Sequence, residues 1–139
     1  MFVIDPFEGP GFEYLARFKP TIVGPRCLLA CLSRNISVPT LPYPMYTASM
    51  QSLIVTSTNF SKEQKNELQL KVERMGGIYS NSFHDGVTHL VVRLAKSRKY
   101  DVAMSKDVPV MTAEWVEKVW EKSKHENCHA TDPQFSRFR

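Results

Sequence analysis

The fold of this 139-residue chain is decided by the stretch Ser52-Leu53-Ile54-Val55-Thr56-Ser57-Thr58 and by the sequence that follows it. The stretch is short, apolar and rich in β-branched residues, a pattern that predicts a buried strand. Ser61 and Gln64 then have the spacing of a capping box, and apolar residues follow at helical spacing until Gly76-Gly77 provides a C-terminal stop. The sequence therefore predicts a strand, a loop and a helix, in that order.

Downstream of this unit, short apolar runs alternate with helical patterns as far as residue 124. Further strands are predicted at Ile78–Ser80, Thr88–Val92 and Val108–Met111. We expect Lys99 to open a short helix before the last of these strands, and Thr112 to cap a final helix after it. The element order is then βαββαβα. Because strands interleaved with helices favour parallel pairing, we predict an α/β fold with a four-stranded, mainly parallel sheet flanked by helices.

The first 35 residues repeat the second half of this pattern at an offset of about 87 residues. Phe2-Val3-Ile4 resembles Leu90-Val91-Val92, and Ile22–Pro25 with the leucines after it resembles Pro109–Val119. We therefore predict a partial, back-half module at residues 1–37, a Pro-rich linker at 38–51, a complete domain at 52–124 and a C-terminal linker at 125–139. Half a sheet has little stability alone, so residues 1–37 are expected either to pack on the complete domain or to fray.

Composition narrows the class of protein. The chain is 42% hydrophobic and 23% charged, which is typical of a globular domain, and no apolar run approaches the roughly 20 residues of a membrane-spanning helix. Its net charge of +4 favours anionic partners such as phosphate groups. The chain has only three cysteines, a small and odd number that argues against a secreted disulfide framework and indicates an intracellular protein. A strand-like run directly after Met1, in place of a signal peptide, leads us to expect a truncated product.

Four short motifs occur in one order along the predicted complete domain. They are Met75-Gly76-Gly77, Val87-Thr88-His89-Leu90-Val91, Lys99-Tyr100-x-Val102-Ala103 and Val110-x-x-x-x-Trp115-Val116. Together they resemble the BRCT family over residues 53–124. In that family the glycine pair allows a tight exit from the first helix, and the tryptophan anchors the core. The resemblance implies a nuclear, monomeric scaffold module that binds phosphopeptides, with no catalysis and no cofactor.

A finer resemblance covers nearly the whole chain. It is carried by Asp5-Pro6-Phe7, Ile22-Val23-Gly24-Pro25, Pro44-x-Tyr46, Ser57-Thr58, Lys99-Tyr100-x-Val102-Ala103 and Trp120-Glu121-Lys122-Ser123. These stretches are similar to the N-terminal BRCT arrays of topoisomerase II-binding replication and checkpoint scaffolds. The implied partners are phosphorylated Ser/Thr proteins, such as the tail of the checkpoint clamp or a replication initiation factor. The BRCT arrays of cytokinesis Rho exchange factors are the competing resemblance, because their linker and first strand are similar.

A phosphate site needs hydroxyl, backbone N–H and cationic donors that converge on one point, because phosphate oxygens accept hydrogen bonds and carry negative charge. Thr58 ends the first predicted strand and Lys99 begins the helix after the third, and such strand-to-helix edges present free N–H groups. The BRCT resemblance implies that the Thr58 hydroxyl, the Asn59 backbone N–H and the Lys99 ammonium bind the phosphate together.

The resemblance also assigns helpers to this site. A further basic residue on the first helix falls on Lys65, where we expect an arginine, so a bidentate contact becomes a point charge and affinity falls. Asn59 stands where the family usually has glycine, and its side chain is expected to crowd the approach. Lys62 and Arg98 are predicted peripheral contacts.

Plainer interpretations stay open beside this one. Thr58 can simply end a strand and hydrogen-bond locally, while Lys65 and Lys99 can be solvated lysines. A purely structural spacer is one alternative class of function, and DNA binding through a basic surface is another. That surface would comprise Lys62, Lys65, Arg93, Lys96, Arg98 and Lys99.

Metal binding and catalysis have weaker support. Cys27 and Cys31 lie four residues apart, and Cys128, His125 or His129 would have to complete a zinc site, but this spacing matches no standard module. Cysteines among leucines on a helix are usually packed thiols, so we predict no metal. No Gly-x-Ser-x-Gly, Walker loop or His-Glu-x-x-His motif occurs, which argues against an enzyme.

Overall fold

The computed structural model describes residues 2–17, 22–33, 44–93, 96–126 and 128–138. Its N-terminal part contains β1 (Phe2–Val3), α1 (Pro10–Ala16), β2 (Ile22–Val23) and α2 (Pro25–Ser33). The larger part contains β3 (Ile54–Thr58), α3 (Lys62–Arg74), β4 (Ile78–Tyr79), β5 (His89–Val92), α4 (Arg98–Ser105), β6 (Val110–Thr112) and α5 (Ala113–Ser123), followed by a 3-10 helix at Pro133–Phe138. Among the described helices, none has the length and apolar character needed to span a bilayer.

The larger part is built on one parallel sheet with strand order β4-β3-β5-β6. The element order is βαββαβα, so the predicted α/β fold with a four-stranded sheet is confirmed. Thr58, Val92 and Thr112 lie side by side at the carboxyl edge of the sheet, because Val92 pairs with both threonines. This edge is where the loops leading into α3 and α4 begin.

Helix α3 begins and ends as its sequence predicts. The Ser61 Oγ accepts a hydrogen bond from the Gln64 backbone N–H at 3.2 Å, and the Gln64 Oε1 accepts one from the Ser61 backbone N–H at 3.0 Å. At the other end Gly76 has φ +83°, a conformation that favours glycine, and a Cβ on Gly77 would lie 2.9 Å from Val72. The capping box and the glycine stop therefore place α3 between the carboxyl edge and the opposite edge of the sheet.

Two predicted boundaries are wrong by one or two residues, and one predicted cap lacks its hydrogen bond. Lys99 does not open its helix, because Ser97 is the N-cap and its Oγ accepts the Tyr100 backbone N–H at 3.0 Å, so α4 starts at Arg98. Thr112 occupies the N-cap position of α5, but its side chain makes no capping hydrogen bond. The strand predicted from Val108 starts at Val110, because the Val108 N–H donates to the Ala103 carbonyl as the chain leaves α4.

The main core lies between β3, β5 and β6 and the helices α3 and α5. Trp115 is fully buried there, and its indole N–H donates to the Ala130 carbonyl at 3.1 Å. Ala130 and Phe135 are also buried in this core, and the Ala130 N–H donates to the Ser49 carbonyl at 2.7 Å. Residues predicted as a C-terminal linker thus add to the core, and the domain boundaries themselves stay predictions.

The N-terminal part forms a two-stranded parallel sheet and packs on the larger part. The Arg26 guanidinium donates to the Lys124 carbonyl at 2.9 Å, and the Tyr46 N–H donates to the Arg74 carbonyl at 2.7 Å. The Arg74 guanidinium lies over the rings of Phe7 and Phe12. Of the two outcomes expected for residues 1–37, packing is the one found for the described residues. Within the predicted linker, residues 38–43 lie outside the described part.

Candidate functional site

The Lys99 side chain lies across the carboxyl edge of the sheet. Its ammonium donates to the Asn81 carbonyl at 3.0 Å, to the Ser57 carbonyl at 3.1 Å and to the Thr56 hydroxyl at 3.3 Å. An ammonium has three N–H donors, so these acceptors occupy all of them. Lys99 is therefore held in place beside the end of β3.

Lys65 lies close enough to Lys99 for the two charges to interact. Burial is the main reason that the pKa of Lys99 falls below its usual range, and repulsion from Lys65 is the second. Lys65 sits in the first turns of α3, where its N–H donates to the Ser61 carbonyl at 2.9 Å, and its side chain is half-buried. Two positive charges that interact at this edge favour a nearby anion.

Thr58 ends β3 at this same edge and is only 8% exposed. Its hydroxyl makes no hydrogen bond within the described part of the chain, whereas the neighbouring Ser57 Oγ is 2.6 Å from the Tyr79 hydroxyl. The local hydrogen bond that was the plainer interpretation of Thr58 is thus not found among these residues. A hydroxyl can both donate and accept a hydrogen bond.

Asn59 follows Thr58 with φ +67°, in the left-handed region where glycine and asparagine are the residues best tolerated. Its Nδ2 donates to the Lys96 carbonyl at 2.8 Å. The side chain that was expected to crowd the approach therefore ties the loop after β3 to the loop before α4. This bond joins the two segments that carry Thr58 and Lys99.

The predicted peripheral residues lie on the surface around this point. Lys62 and Arg98 are both exposed, at the first positions of α3 and α4. Arg98 and Lys99 also line a cavity of about 640 Å³ between α4 and the loop before β5. Within the described residues, no carboxylate pairs with any of the predicted basic surface residues, Lys62, Lys65, Arg93, Lys96, Arg98 and Lys99.

Sequence reasoning did not assign four contributors to this site: Thr56, Ser57, Asn81 and Lys96. Each contributes an acceptor that holds Lys99 or Asn59, and three of the four are backbone carbonyls. Carbonyl groups have no sequence signal of their own. Asn81 had an indirect one, because it follows the strand that pairs with β3 and so lies at the same edge.

The cysteines are packed thiols in this fold. Cys27 and Cys31 are buried among Val23 and Met45, and burial, followed by the charge and hydrogen bond of Cys31, raises the pKa of Cys27 to about 12. Cys128 lies 3.7 Å from the Ser49 hydroxyl. Within the described residues, no three metal-ligating side chains gather at one point.

Comparisons with known proteins address the family. Residues 53–115 match the model of the twin BRCT domain. The chain is 32% identical to Protein ECT2 of Homo sapiens over 136 residues, which are 97% of this chain and 15% of that protein. It is 26% identical to the S-M checkpoint control protein rad4 of Schizosaccharomyces pombe over 74 residues, which are 52% of this chain and 11% of that protein. The chain spans well under a fifth of either relative, and its resemblance to the BRCT family is confirmed.

Solved structures agree on the fold. A structure of Rad4 BRCT1,2 in complex with a Crb2 phosphopeptide matches with a TM-score of 0.56 at 17% identity, over 96% of this chain and 74% of that chain. A second, with a Mdb1 phosphopeptide, gives 0.58 at 17% identity, over 97% of this chain and 74% of that one. A structure of yeast Rtt107 with Mms22 matches with a TM-score of 0.54 at 21% identity, over 99% of this chain and 32% of that chain. The likeness therefore includes the N-terminal part as well as the complete domain.

Proposed function

We propose that the BRCT domain of this chain is a phosphopeptide-binding scaffold module that recognises phosphoserine or phosphothreonine through Thr58, Asn59, Lys65 and Lys99. The observation that carries this proposal is the placement of the Lys99 ammonium at the end of β3, hydrogen-bonded to the strand that Thr58 completes. Domains of this family are typically interaction modules without catalysis, and the Rad4 domains of the same fold were solved with phosphopeptides.

Binding of a phosphate at this edge would use groups that are already in position. The Thr58 hydroxyl donates to one phosphate oxygen and the Asn59 backbone N–H donates to another, since Asn59 follows directly after the strand. The Lys99 ammonium must exchange at least one of its three acceptors for a phosphate oxygen, because all of its N–H groups are occupied. The exchange replaces a neutral acceptor with a charged one, which strengthens the bond.

The charge at this edge supports a phosphate dianion over a carboxylate. A carboxylate carries one negative charge, whereas a phosphoserine carries between one and a half and two at neutral pH. Lys65 and Lys99 repel each other in the free chain, and a dianion relieves that repulsion most fully. Lys62 and Arg98 add exposed positive charge that attracts the acidic residues flanking many phosphorylation sites.

The biological setting follows from the resemblance and the relatives. We place the module in the nucleus, in DNA damage checkpoint signalling and replication initiation, with phosphorylated Ser/Thr proteins such as the checkpoint clamp tail or a replication initiation factor as the partners that the resemblance implies. The similarity to a checkpoint control protein supports this setting.

The test is a calorimetric titration of the chain with phosphorylated and unphosphorylated copies of acidic Ser/Thr peptides. The matched pair of variants is Thr58→Val and Thr112→Val, because both threonines end a strand at the same edge and pair with Val92. We expect binding only to phosphorylated peptides, lost in Thr58→Val and kept in Thr112→Val. Binding that does not depend on phosphorylation, or that both variants weaken equally, would show that the site is wrongly assigned.

A second setting is favoured by one comparison. The similarity to ECT2 runs over 97% of this chain, and it fits the competing resemblance to the arrays of cytokinesis Rho exchange factors. In that setting the same pocket would take phosphopeptides from cytokinesis proteins. A panel of phosphopeptides from checkpoint and from cytokinesis proteins distinguishes the two settings. Each setting predicts that the peptides from its own process bind most tightly.

DNA binding is the other candidate, and the six basic residues without carboxylate partners in the described structure favour it. A surface that neutralises several DNA phosphates loses affinity steeply as salt rises, whereas one phosphopeptide gives a shallow dependence. Titration of duplex DNA between 50 and about 200 mM salt distinguishes the two slopes.

A further inference from the structure

Ser82 differs from nearly all other serines and threonines of the chain in the residue that follows it. Only Ser82 and Ser123 have an acidic residue three positions later, Asp85 and Glu126 respectively. Acidophilic serine kinases select substrates by this spacing, because a basic groove of the kinase attracts the carboxylate. Ser123 is 1% exposed and its hydroxyl donates to the Trp120 carbonyl at 2.7 Å. Of the two serines, only Ser82 therefore has a hydroxyl that a kinase can reach.

The loop between β4 and β5 exposes the groups that such a kinase would contact. Ser82, His84 and Asp85 are all exposed there. The Asp85 side chain is 94% exposed, so its ion pair with Lys106 leaves the carboxylate accessible. The Ser80 Oγ holds the Ser82 backbone, because it donates to the Ser82 carbonyl at 2.8 Å and accepts the Ser82 N–H at 3.3 Å. Within the described residues, the Ser82 hydroxyl itself makes no hydrogen bond.

Positive charges lie beside the position that a phosphate on Ser82 would take. Ser82, Arg98 and Lys99 line the same cavity of about 640 Å³. The Lys99 ammonium already donates to the carbonyl of Asn81, the residue before Ser82, at 3.0 Å. Among the residues that the structure describes, neither Arg98 nor Lys99 pairs with a carboxylate. A phosphate on Ser82 would thus enter a cavity with two positive charges that no carboxylate balances.

We propose that Ser82 is a phosphorylation site for an acidophilic serine kinase, and that its phosphate binds Lys99 and Arg98 and so blocks phosphopeptide binding. In the kinase reaction the γ-phosphoryl group of ATP passes to the Ser82 Oγ. The bond from phosphorus to the ADP oxygen breaks, a bond from phosphorus to Oγ forms, and the hydroxyl proton goes to a carboxylate of the kinase. The blocking step rests on the proposed function, because both phosphates would use Lys99.

A phosphate on the same chain competes well with a phosphate on a partner. A group held by a short segment has an effective concentration on the order of millimolar. It replaces the neutral Asn81 carbonyl with a charged acceptor of the Lys99 ammonium, which gives a stronger hydrogen bond. It also repels an incoming phosphate, since like charges brought close together oppose binding. Both effects weaken phosphopeptide binding, and together we expect a loss of about tenfold or more.

The first measurement is the kinase reaction. The full chain is incubated with casein kinase 2 and ATP, and mass spectrometry of fragments locates the phosphate. We expect phosphorylation of Ser82, absent in Ser82→Ala and slowed about tenfold in Asp85→Asn, which removes the acidic residue and leaves the loop sequence otherwise unchanged. The control is Ser105→Ala, an exposed serine whose acidic residue, Asp107, stands two positions later. An unmodified Ser82, or an Asp85→Asn variant that is phosphorylated as fast as the unmodified chain, would overturn the proposal.

Two further readouts compare the phosphorylated chain with the unphosphorylated one. NMR of the Lys99 ammonium needs no peptide, and we expect the pKa of Lys99 to rise on phosphorylation, because a nearby phosphate favours the charged form. Calorimetry should show phosphopeptide binding that is about tenfold weaker after phosphorylation. An unchanged Lys99 signal would overturn the contact with Ser82, and equal peptide affinity would overturn the block.

These results also distinguish this inference from the proposed function. If neither form of the chain binds a phosphopeptide, the proposed function fails and the block fails with it. The kinase reaction and the Lys99 signal then still decide whether Ser82 is modified and whether its phosphate reaches Lys99.

Discussion

Replacement of Lys99 by methionine is the sharpest test of the phosphate site. Methionine keeps an unbranched apolar stem in the same place and removes the ammonium. The folded chain loses the hydrogen bonds to Thr56, Ser57 and Asn81 but no longer has to keep a charge in partly buried surroundings, the cause of the lowered pKa of Lys99. These effects oppose each other, so we expect the free energy of unfolding to change by less than about 1 kcal/mol.

The loss of binding should be much larger than the change in stability. A hydrogen bond from a charged donor contributes about 2 kcal/mol, and about 1.4 kcal/mol corresponds to a tenfold change in Kd. Lys99 must give up one of its present hydrogen bonds to bind the phosphate. We therefore expect a free-energy contribution below the largest values measured for hydrogen bonds from charged donors. We therefore expect Lys99→Met to weaken phosphopeptide binding roughly thirtyfold.

Lys106→Met is the matched control, because Lys106 also lies beside α4 and its ammonium pairs with Asp85 at 2.6 Å in an exposed position. Exposed ion pairs contribute little, so this variant should weaken binding less than about threefold. The assay is calorimetry at physiological salt with one phosphopeptide and its unphosphorylated copy. If Lys99→Met stays within a factor of three of the unmodified chain, or if both variants lose affinity alike, Lys99 does not bind the phosphate.

Three further outcomes follow from the same structure. Asn59→Ala should lower the free energy of unfolding in urea by about 2 kcal/mol, because alanine is strained at φ +67° and loses the hydrogen bond to Lys96. Asn59→Gly loses the same bond without the strain and should lower it by about 1 kcal/mol; equal values for the two variants would contradict the role of the backbone conformation. In an NMR titration the pKa of the Lys99 ammonium should lie below the usual range of lysine, and it should rise when a phosphopeptide binds, because the phosphate favours the charged form. Binding itself should weaken as the pH falls through about 6, where the phosphate takes up a proton. Phe135→Ala should cost about 3 kcal/mol of stability in urea, and a change below about 1 kcal/mol would show that the segment after α5 is a linker and no part of the core.

The sequence predicted where Thr58 and Lys99 lie as far as local chemistry and parallel topology determine it. The capping box fixed the start of α3, and the run of apolar residues ended β3 at Thr58, so both had to lie at the carboxyl edge of the sheet. Lys99 came to the same edge because it stands near the start of the helix after β5. This much follows from the rule that parallel strands bring their carboxyl ends together.

Other features depend on contacts that no local pattern encodes. The Asn81 carbonyl reaches Lys99 only because β4, a strand of two residues, pairs with β3 in the register Val55 to Tyr79. The buried Phe135 belongs to a segment without helical or strand periodicity, so nothing local indicated that it packs in the core. Both features depend on long-range packing, which single-sequence reasoning does not resolve.

The duplication also shows how the two parts of the chain differ in chemistry. At an offset of 88 residues the counterpart of Lys99 is Gly11, which has no side chain to reach a ligand. The N-terminal part therefore repeats the elements of the complete domain without repeating the cation that we propose binds phosphate there.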